Sequence, residues 1–224
     1  MEIKRISPTV ENYLGVLYIL ERDGEPIIGI QLAELFGVSP PTVTNTLKRM
    51  LRDNLLIEDE NGLHLSEKGL EAACSVMRRH MLSEWMLSRM LSWAQVHEEA
   101  HEIEHAISEK VEAALLEELN QPTFCPHGNP LPGYEHEAAN WLPLTKIAIG
   151  ERAIIRRIHE LAEEQPGLLP FLEGNGLLLG KEISVQSVLP FNQTITISTG
   201  EHEVTLGYAL AKYIFVERSA SPHP

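Results

Sequence analysis

The chain has 224 residues and a hydrophobic content of 43%, which indicates one or two globular domains with a hydrophobic core. Its formal net charge of −14 at pH 7 argues against DNA binding through bulk positive charge, so any contact with DNA must be local. Its two cysteines are too few for a disulfide framework, and it has neither a secretion signal nor an apolar run long enough to span a bilayer, so we expect a cytoplasmic protein with no membrane partner.

The N-terminal third has the pattern of a helix-turn-helix. Apolar residues recur at helical spacing over residues 9–22, and the turn-forming segment 23–26 ends that helix. Two further helical patterns flank Gly37, and the second begins with Ser39, a natural N-cap, followed by prolines that suit a first helical turn. Two short β-prone runs around an Asn61-Gly62 turn then predict a hairpin, and therefore a winged helix.

The second helix of this motif carries the candidate DNA-binding residues. Hydroxyl and amide side chains near its start can reach base edges and phosphates, and the basic side chains that follow suit phosphate contact. The alternative is a winged domain used for protein contact, but the basic cluster directly after the polar residues favours DNA. The candidates are Ser39, Pro41, Thr42, Thr44, Asn45, Lys48, Arg49 and Arg52.

A long helix is predicted from Ser66 through His80 and Glu84. The apolar residues between Leu82 and Trp93 form a broad surface, which favours a homodimer. A dimer also suits a palindromic operator, because its two recognition helices can read two half-sites.

Histidines and carboxylates recur at helical spacing in two sets. Residues three or four apart share a helix face, so the members of each set are expected to point the same way. Converging imidazole and carboxylate groups suit a divalent first-row metal ion, so the pattern predicts a metal site. The alternative interpretation of these residues is a solvated, pH-sensitive helix face. The first set is His80 and Glu84, and the second is His97, His101, Glu104 and His105.

The order of these motifs resembles that of a known family. The winged helix is followed by His-x-x-x-Glu, then by His-x-x-x-His-x-x-Glu-His, and then by the block Cys-Pro-His-Gly-Asn-Pro. Over about residues 9–132 the chain resembles the diphtheria toxin repressor and iron-dependent regulator family, including its manganese-sensing branch. The resemblance implies a homodimeric repressor in which bound Fe(II) or Mn(II) fixes the N-terminal helix and positions the recognition helices on an operator.

The resemblance also implies metal ligands. It implies one site with His80, Glu84 and His97. It implies a second site with His101, Glu104, His105 and Asn12, with Glu11 beside Asn12 as the alternative. The chain departs from the family at His101, where Cys or Glu is usual, and at Asn12, where Met or Asp is usual. A histidine in place of glutamate favours a more borderline ion, so Co(II) and Zn(II) join Fe(II) and Mn(II) as candidates.

The block around Cys125 and His127 is a third candidate region. Its proline, glycine and asparagine residues could form a plain turn. A thiolate and an imidazole two residues apart favour ligation, and they match ligands that some family members share with Glu84. Because a thiolate ligand must lose its proton, metal affinity should rise with pH.

The C-terminal part consists of short β-prone runs with glycine or asparagine breaks. Five or six such strands fit a small barrel, and their order resembles the SH3-like domain of longer family members, which is related to a small domain found with ferrous-iron transporters (FeoA-like). In the family this domain lends oxygen ligands, which implies Glu160 and Glu163 here. The alternative for this acidic run is a solvated helix end, and we favour that alternative for Glu164.

The predicted fold class is mainly α with small β. We predict a winged helix-turn-helix over 1–70, a helical metal-binding and dimerisation domain over 71–132, a linker over 133–143, an SH3-like domain over 144–218 and a disordered tail over 219–224. The predicted function is a metal-dependent repressor that senses Fe(II) or Mn(II) and controls metal-homeostasis genes, with no catalytic residues and no small-molecule substrate. Two alternatives are a zinc-dependent hydrolase, although the HExxH order is absent, and a winged-helix repressor with a purely structural metal ion.

Overall fold

The computed structural model of the chain describes residues 6–219, and their contacts form two compact units. The first unit comprises residues 6–80 and 104–107, and the second comprises residues 81–103 and 108–219. Within the described part of the chain, no helix is both long and apolar enough to cross a membrane.

The first unit is a winged helix-turn-helix followed by the beginning of a long helix, which confirms the predicted N-terminal fold. Three helices precede a two-stranded antiparallel sheet in which Leu56 pairs with Leu65. The elements are α1 (Pro8–Arg22), α2 (Gly29–Leu35), α3 (Pro40–Arg52), β1 (Leu56–Asp59), β2 (Gly62–Leu65) and α4 (Glu67–Leu87).

Side-chain caps explain where two of these helices begin. At the start of α3, the Ser39 hydroxyl accepts a hydrogen bond from the backbone N–H of Thr42. At the start of α4, the Ser66 hydroxyl accepts from the backbone N–H of Gly69 at 2.9 Å. A Cβ at Gly69 would lie 1.9 Å from the carbonyl oxygen of Leu55, so glycine allows α4 to pack directly against that backbone.

The hairpin and the core position α3. The hairpin turn consists of Glu60 and Asn61 rather than of the predicted Asn61-Gly62 pair, because Gly62 is already the first residue of β2. Tyr13 of α1 stacks on Phe36, with 4.2 Å between the ring centroids, and so connects α1 to the turn before α3. Buried apolar side chains from all these elements form the core, including Leu14, Leu17, Leu32, Val43, Met50, Leu56, Leu65, Ala73 and Met77.

The run that carries the second histidine set is not one continuous α-helix. Helix α5 (Val96–Ile103) gives way to a 3-10 turn over Glu104–Ala106, and α6 (Glu109–Glu118) follows. A 3-10 turn has about three residues per turn instead of about 3.6, so helical spacing does not hold across the junction. The expectation that one helix face carries His97, His101, Glu104 and His105 is therefore wrong.

The second unit contains a six-stranded antiparallel sheet in the order β3-β8-β4-β5-β6-β7, which confirms the predicted small β domain. Its strands are β3 (Leu142–Pro143), β4 (Arg152–Ile158), β5 (Glu182–Leu189), β6 (Thr194–Ser198), β7 (Glu203–Gly207) and β8 (Ile214–Arg218). Its short helices are α7 (Glu160–Glu163), α8 (Leu168–Gly174) and α9 (Tyr208–Ala211), and 3-10 turns lie at Glu135–Ala138 and Leu144–Lys146. The core of the sheet includes Ile155, Ile158, Leu172, Leu177, Ile197, Ile214 and Val216.

Two boundaries of the C-terminal part differ from the sequence prediction. Leu142 and Pro143, which lie in the predicted linker, belong to the sheet because they pair with β8. Ser219, in the predicted disordered tail, donates its backbone N–H to the carbonyl oxygen of Arg152 at 3.0 Å. The rest of that tail, 220–224, lies outside the described residues.

Candidate metal centres and DNA-binding surface

Five side chains of the second unit form the first candidate metal centre. They come from α4, from α5, from the turn after α6 and from α7. Each residue is at most 7% exposed. We call this set the buried cluster, and its members are Glu84, His97, Cys125, His127 and Glu163.

Three members of the buried cluster offer a donor set that fits a divalent metal ion. Glu84, Cys125 and His127 each have one donor atom within 4.8 Å of the donor atoms of the other two. A carboxylate, a thiolate and an imidazole together suit borderline first-row ions such as Fe(II), Co(II) and Zn(II). The residues present therefore fit such an ion.

Hydrogen bonds orient the ring of His127 toward the other donors. Its Nε2 lies 2.9 Å from the carbonyl oxygen of Trp93, which can only accept, so Nε2 carries a proton. Its Nδ1 lies 3.1 Å from Glu84 Oε1. In the neutral ring Nδ1 is therefore the nitrogen that can bind a metal ion, while the backbone carbonyl fixes the opposite side of the ring.

The turn of the buried cluster is fixed to strand β4. The carbonyl oxygen of His127 accepts the backbone N–H of Ile158 at 2.9 Å, and the side chain of Asn129 donates to the Ile158 carbonyl oxygen at 2.8 Å. A Cβ at Gly128 would lie 2.0 Å from the carbonyl oxygen of Arg156, and the φ of Gly128 is +84°. Only glycine allows this close approach in the left-handed region.

His97 has a carboxylate on each side of its ring. Its Nδ1 lies 2.8 Å from Glu163 Oε2 and 3.1 Å from Glu84 Oε1, and its Nε2 lies 3.4 Å from Glu164 Oε1. The same oxygen of Glu164 lies 3.0 Å from His101 Nε2. Glu164 is exposed at the end of α7, which agrees with the solvated helix end that we favoured, and its carboxylate also contacts two imidazoles.

These contacts shift the pKa values of the buried cluster. Burial lowers the pKa of His97, but the attraction of Glu163 and hydrogen bonds to glutamates outweigh burial, so this pKa lies well above its usual value. The same competition between burial and the charges of Glu163 and Glu84 raises the pKa of His127 to about 9. Burial, and then the same two carboxylates, raise the pKa of the Cys125 thiol well above its usual value. Near neutral pH and without a metal ion, both imidazoles and the thiol therefore carry their protons.

Five side chains of the first unit form the second candidate centre. They come from α1, from α4 and from the 3-10 turn after α5. Four of them are buried, and the side chain of His105 is 19% exposed. We call this set the N-terminal cluster, and its members are Glu11, Arg79, His80, Glu104 and His105.

Glu11 connects the three elements of the N-terminal cluster. Its Oε2 lies 2.6 Å from His105 Nδ1, and its Oε1 lies 3.0 Å from the guanidinium of Arg79. Glu104 lies 2.6 Å from His80 Nδ1 through one oxygen and 3.5 Å from His105 Nε2 through the other. Two carboxylates and two imidazoles are donor types that suit Fe(II) or Mn(II).

Several residues singled out in the sequence have other surroundings in the structure. Asn12 is exposed on α1, whereas the neighbouring glutamate faces the N-terminal cluster. His101 lies in the second unit, and Glu160 lies 2.8 Å from the guanidinium of Arg157. Arg79 and Arg157 were not among the predicted site residues, because a buried arginine has no local spacing signal and is recognised only by the carboxylate that the fold brings to it.

The predicted DNA-binding residues lie on the exposed surface of α3 and its cap, and all eight are exposed. The Thr44 hydroxyl donates to the carbonyl oxygen of Pro40 at 3.0 Å, so its oxygen can still accept a hydrogen bond. Arg49 and Arg52 each lie 3.7 Å from Asp53, one through each carboxylate oxygen. Exposed side chains around one carboxylate can turn toward phosphates, since exposed ion pairs of this kind are weak.

Comparison with protein family models covers nearly the whole chain. The model of the iron dependent repressor N-terminal DNA binding domain matches residues 5–62. The model of the iron dependent repressor metal binding and dimerisation domain matches residues 66–133. The FeoA domain model matches residues 142–218.

Named relatives and solved structures agree with the family models. The chain is 35% identical to the iron-dependent repressor IdeR of Mycobacterium tuberculosis, over 96% of this chain and 100% of the relative. It is 30% identical to the diphtheria toxin repressor of Corynebacterium diphtheriae, over 96% of this chain and 99% of the relative. Among solved structures, a manganese-dependent transcriptional repressor in complex with manganese has a TM-score of 0.82 at 27% identity, covering 94% of this chain and 100% of the other. ScaR with bound Zn2+ has a TM-score of 0.79 at 30% identity, covering 94% of this chain and 99% of the other.

Proposed function

The chain belongs to the family of iron-dependent and diphtheria toxin repressors, and from this premise we propose that metal binding at its two clusters controls its affinity for an operator. It is a metal-dependent DNA-binding transcriptional repressor with a divalent metal cofactor and a dimerisation domain. Relatives named as iron-dependent and manganese-dependent support Fe(II) or Mn(II) as the activating ion, and metal-homeostasis genes as the targets. The need to reach chromosomal DNA supports the cytoplasm as its location.

The observation that carries this proposal is the place of Glu11 on α1. Glu11 faces His105 within the N-terminal cluster at 2.6 Å. Two residues further along the same helix, Tyr13 stacks on Phe36 in the turn before the recognition helix α3. The groups around Glu11 therefore influence the helix that supports the DNA-reading surface.

We infer that Glu11, Glu104 and His105, together with His80, hold the activating ion. The ion would add a double positive charge beside the two buried carboxylates, of which Glu11 already pairs with Arg79. Glu11 then holds α1 against α4 and the 3-10 turn, and a fixed α1 restricts the orientation of α3. The coupling is a population shift, in which the state that binds metal better is also the state that binds DNA better.

A dimer whose recognition helices are both restricted in this way fits an operator with two half-sites. Such half-sites lie about 34 Å apart or at a multiple of that distance. We therefore propose a palindromic operator, read by the exposed residues of α3.

We propose that the buried cluster holds a second ion in each subunit. Glu84, Cys125 and His127 would be its main ligands, with His97 and Glu163 beside them. A thiolate and buried nitrogen and oxygen donors favour tight binding that strengthens as pH rises, because the donors must release protons.

The relatives are repressors by name, which supports this function over a zinc-dependent hydrolase. A winged-helix repressor with a purely structural metal ion makes a different prediction. Its operator binding would not respond to a chelator, so chelation distinguishes the two.

Fluorescence anisotropy of an operator, selected from random DNA with the metal-loaded dimer, tests the metal response. Titrations with Mn(II), Fe(II), Co(II) and Zn(II) identify the activating ion. His105→Ala should abolish the metal response and leave the circular dichroism spectrum unchanged, because His105 is partly exposed. His136→Ala, an exposed histidine of the second unit, is the matched control. An unchanged response in His105→Ala contradicts the proposal.

The DNA-binding surface has a separate test. Asn45→Ala should weaken operator binding by about 1–3 kcal/mol and relax specificity at one position. Arg49→Ala should weaken binding to all sequences and lower the salt slope by about 1. Calorimetry should find unchanged metal affinity in both variants, and an equal loss of metal binding would count against this assignment.

A further inference from the structure

A buried arginine and a buried asparagine lie next to the buried cluster of the second unit. Arg157 is 6% exposed and Asn129 is fully buried. Arg157 follows a β-bulge in β4, where the pairing with β8 changes register after Ile155, and its guanidinium lies 4.8 Å from the ring centroid of Phe215. Bulges redirect side chains, and here the side chain that follows the bulge is a buried cation that is not a metal donor.

Three contacts define how the side-chain amide of Asn129 is oriented. The Nε of Arg157, which can only donate, lies 2.5 Å from Asn129 Oδ1. Asn129 Nδ2 lies 2.8 Å from the carbonyl oxygen of Ile158 and 2.6 Å from Glu163 Oε1, and an ionised carboxylate can only accept. A reversed amide would set donor against donor and acceptor against acceptor, so all three neighbours require this orientation.

The amide of Asn129 divides the two oxygens of Glu163 between two partners. Oε1 accepts the hydrogen bond from Asn129, whereas Oε2 lies 2.8 Å from His97 Nδ1 and 3.7 Å from His127 Nδ1. Hydrogen bonds to ionised carboxylates are stronger than neutral ones. One oxygen is therefore held by the scaffold, and the other faces the imidazoles of the buried cluster.

Glu160 supplies the counter-charge for Arg157. It is 5% exposed, and its Oε2 lies 2.8 Å from the guanidinium. Burial of a guanidinium is costly unless a carboxylate compensates its charge. Glu160, for which the family resemblance implies a ligand role, is therefore better assigned to balancing Arg157.

We propose that Asn129 and Arg157 are positioning residues for metal binding at the buried cluster. Arg157, neutralised by Glu160, orients Asn129, and Asn129 holds Glu163 with one oxygen toward His97. This inference rests on the proposed metal site at the buried cluster. Removal of such an outer hydrogen-bonding partner weakens metal binding by about 10- to 100-fold.

Titration of the full-length protein with Co(II) tests this proposal. The visible ligand-field bands report the ligand set, and the near-ultraviolet thiolate-to-cobalt band reports Cys125. Asn129→Ala should weaken Co(II) binding by about 10- to 100-fold and change the ligand-field bands while the thiolate band persists. In a Glu163→Gln background the same substitution should cause little further loss, because Asn129 acts through Glu163.

Three other outcomes would each overturn a specific part of the proposal. A full additional loss in the Asn129→Ala/Glu163→Gln double variant overturns the positioning role, because Asn129 would then act independently of Glu163. Glu163→Gln with unchanged affinity and unchanged ligand-field bands also overturns it, since no ligand would need positioning. A wild-type protein without any thiolate-to-cobalt band overturns the proposed metal site itself.

Arg157→Lys keeps the test valid if Asn129→Ala does not fold. It preserves the positive charge beside Glu160 but lacks the planar guanidinium that donates to Asn129. We expect an approximately tenfold loss of Co(II) affinity in the otherwise wild-type chain and none in the Glu163→Gln background. Equal losses in both backgrounds overturn the proposal. Arg156→Lys, at the adjacent and half-exposed position, should match the wild type.

Discussion

The buried cluster and the N-terminal cluster have similar donors but balance their charges differently. In the buried cluster, the carboxylates of Glu84 and Glu163 face imidazoles that hold protons, and the pKa of His127 is raised to about 9. In the N-terminal cluster, the carboxylate of Glu11 pairs with the positively charged guanidinium of Arg79. The first cluster can exchange protons for a metal ion, whereas a metal ion at the second must compete with a permanent cation.

The two clusters also differ in the backbone that carries them. The turn with Cys125 and His127 is hydrogen-bonded to strand β4, so the sheet holds its metal-donor side chains in place. Glu11 lies on α1, which packs against the turn before the recognition helix. We therefore expect the buried cluster to set stability and metal affinity, and the N-terminal cluster to set the response of DNA binding.

The largest effect should come from separating the turn of the buried cluster from β4. In Gly128→Ala the new Cβ would lie 2.0 Å from the carbonyl oxygen of Arg156, so the turn must move. We expect the free energy of unfolding in urea to fall by about 4 kcal/mol or more. Gly133→Ala has a similar positive φ but nothing within 4 Å of the new Cβ, so it should cost only about 1–2 kcal/mol. Equal losses would mean that the contact with β4 does not hold the turn.

Replacement of Arg79 should remove the positive side chain beside Glu11 and make the charge balance of the N-terminal cluster resemble that of the buried cluster. Arg79→Met leaves the buried carboxylate of Glu11 without its guanidinium, so the metal-free protein should lose about 3 kcal/mol of stability. Mn(II) should then bind more tightly, because the competing cation is gone, and should restore much of that loss. Thermal unfolding with and without Mn(II) measures both effects, and Arg78→Met is the control at the neighbouring position. A loss that Mn(II) does not reduce would contradict competition at Glu11.

Loss of the thiolate should weaken the buried cluster as a metal site. Cys125→Ser replaces a thiol that can ionise on metal binding with a hydroxyl that does not, so Co(II) affinity should fall by about 100-fold or more. The thiolate-to-cobalt band should disappear at the same time. Cys74→Ser, on α4, should keep both the affinity and the band. Equal behaviour of the two serine variants would rule out Cys125 as a ligand.

The most gradual effect should be the dependence of stability on pH. The pKa of His127 is raised from 6.5 to about 9, so its contribution to metal-free stability is complete below the unfolded value and is lost as pH rises through the folded value. Urea unfolding should therefore show a decline between about pH 6.5 and 9, at no more than about 1.4 kcal/mol per pH unit for this proton. Metal affinity should rise over the same interval, because the ion displaces that proton.

His127→Gln provides the control for this pH dependence. It removes the titrating group, so the decline in metal-free stability should become shallower. A metal-free wild-type protein whose stability increases between pH 6.5 and 9 would contradict the charge balance described for the buried cluster.

Local patterns predicted much of the fold because they depend on near neighbours along the chain. The Ser39 cap, the amphipathic helix α1 and the β1–β2 hairpin all follow from side chains within a few residues of each other. The single helical face through His105 was a local error. Its spacing does not distinguish a continuous α-helix from one that ends in a 3-10 turn at Glu104.

The sequence alone determined that imidazoles, carboxylates and a thiolate recur beside a winged helix, and its resemblance to a known family implied a metal-dependent DNA-binding repressor. Only the tertiary structure decided which donors meet. Glu11 rather than Asn12 faces His105 across 94 residues of sequence. Asn129 holds Glu163 across 34 residues of sequence. The physical reason is that successive residues on a helix point about 100° apart, so the packing of distant elements selects which of two adjacent side chains enters a site.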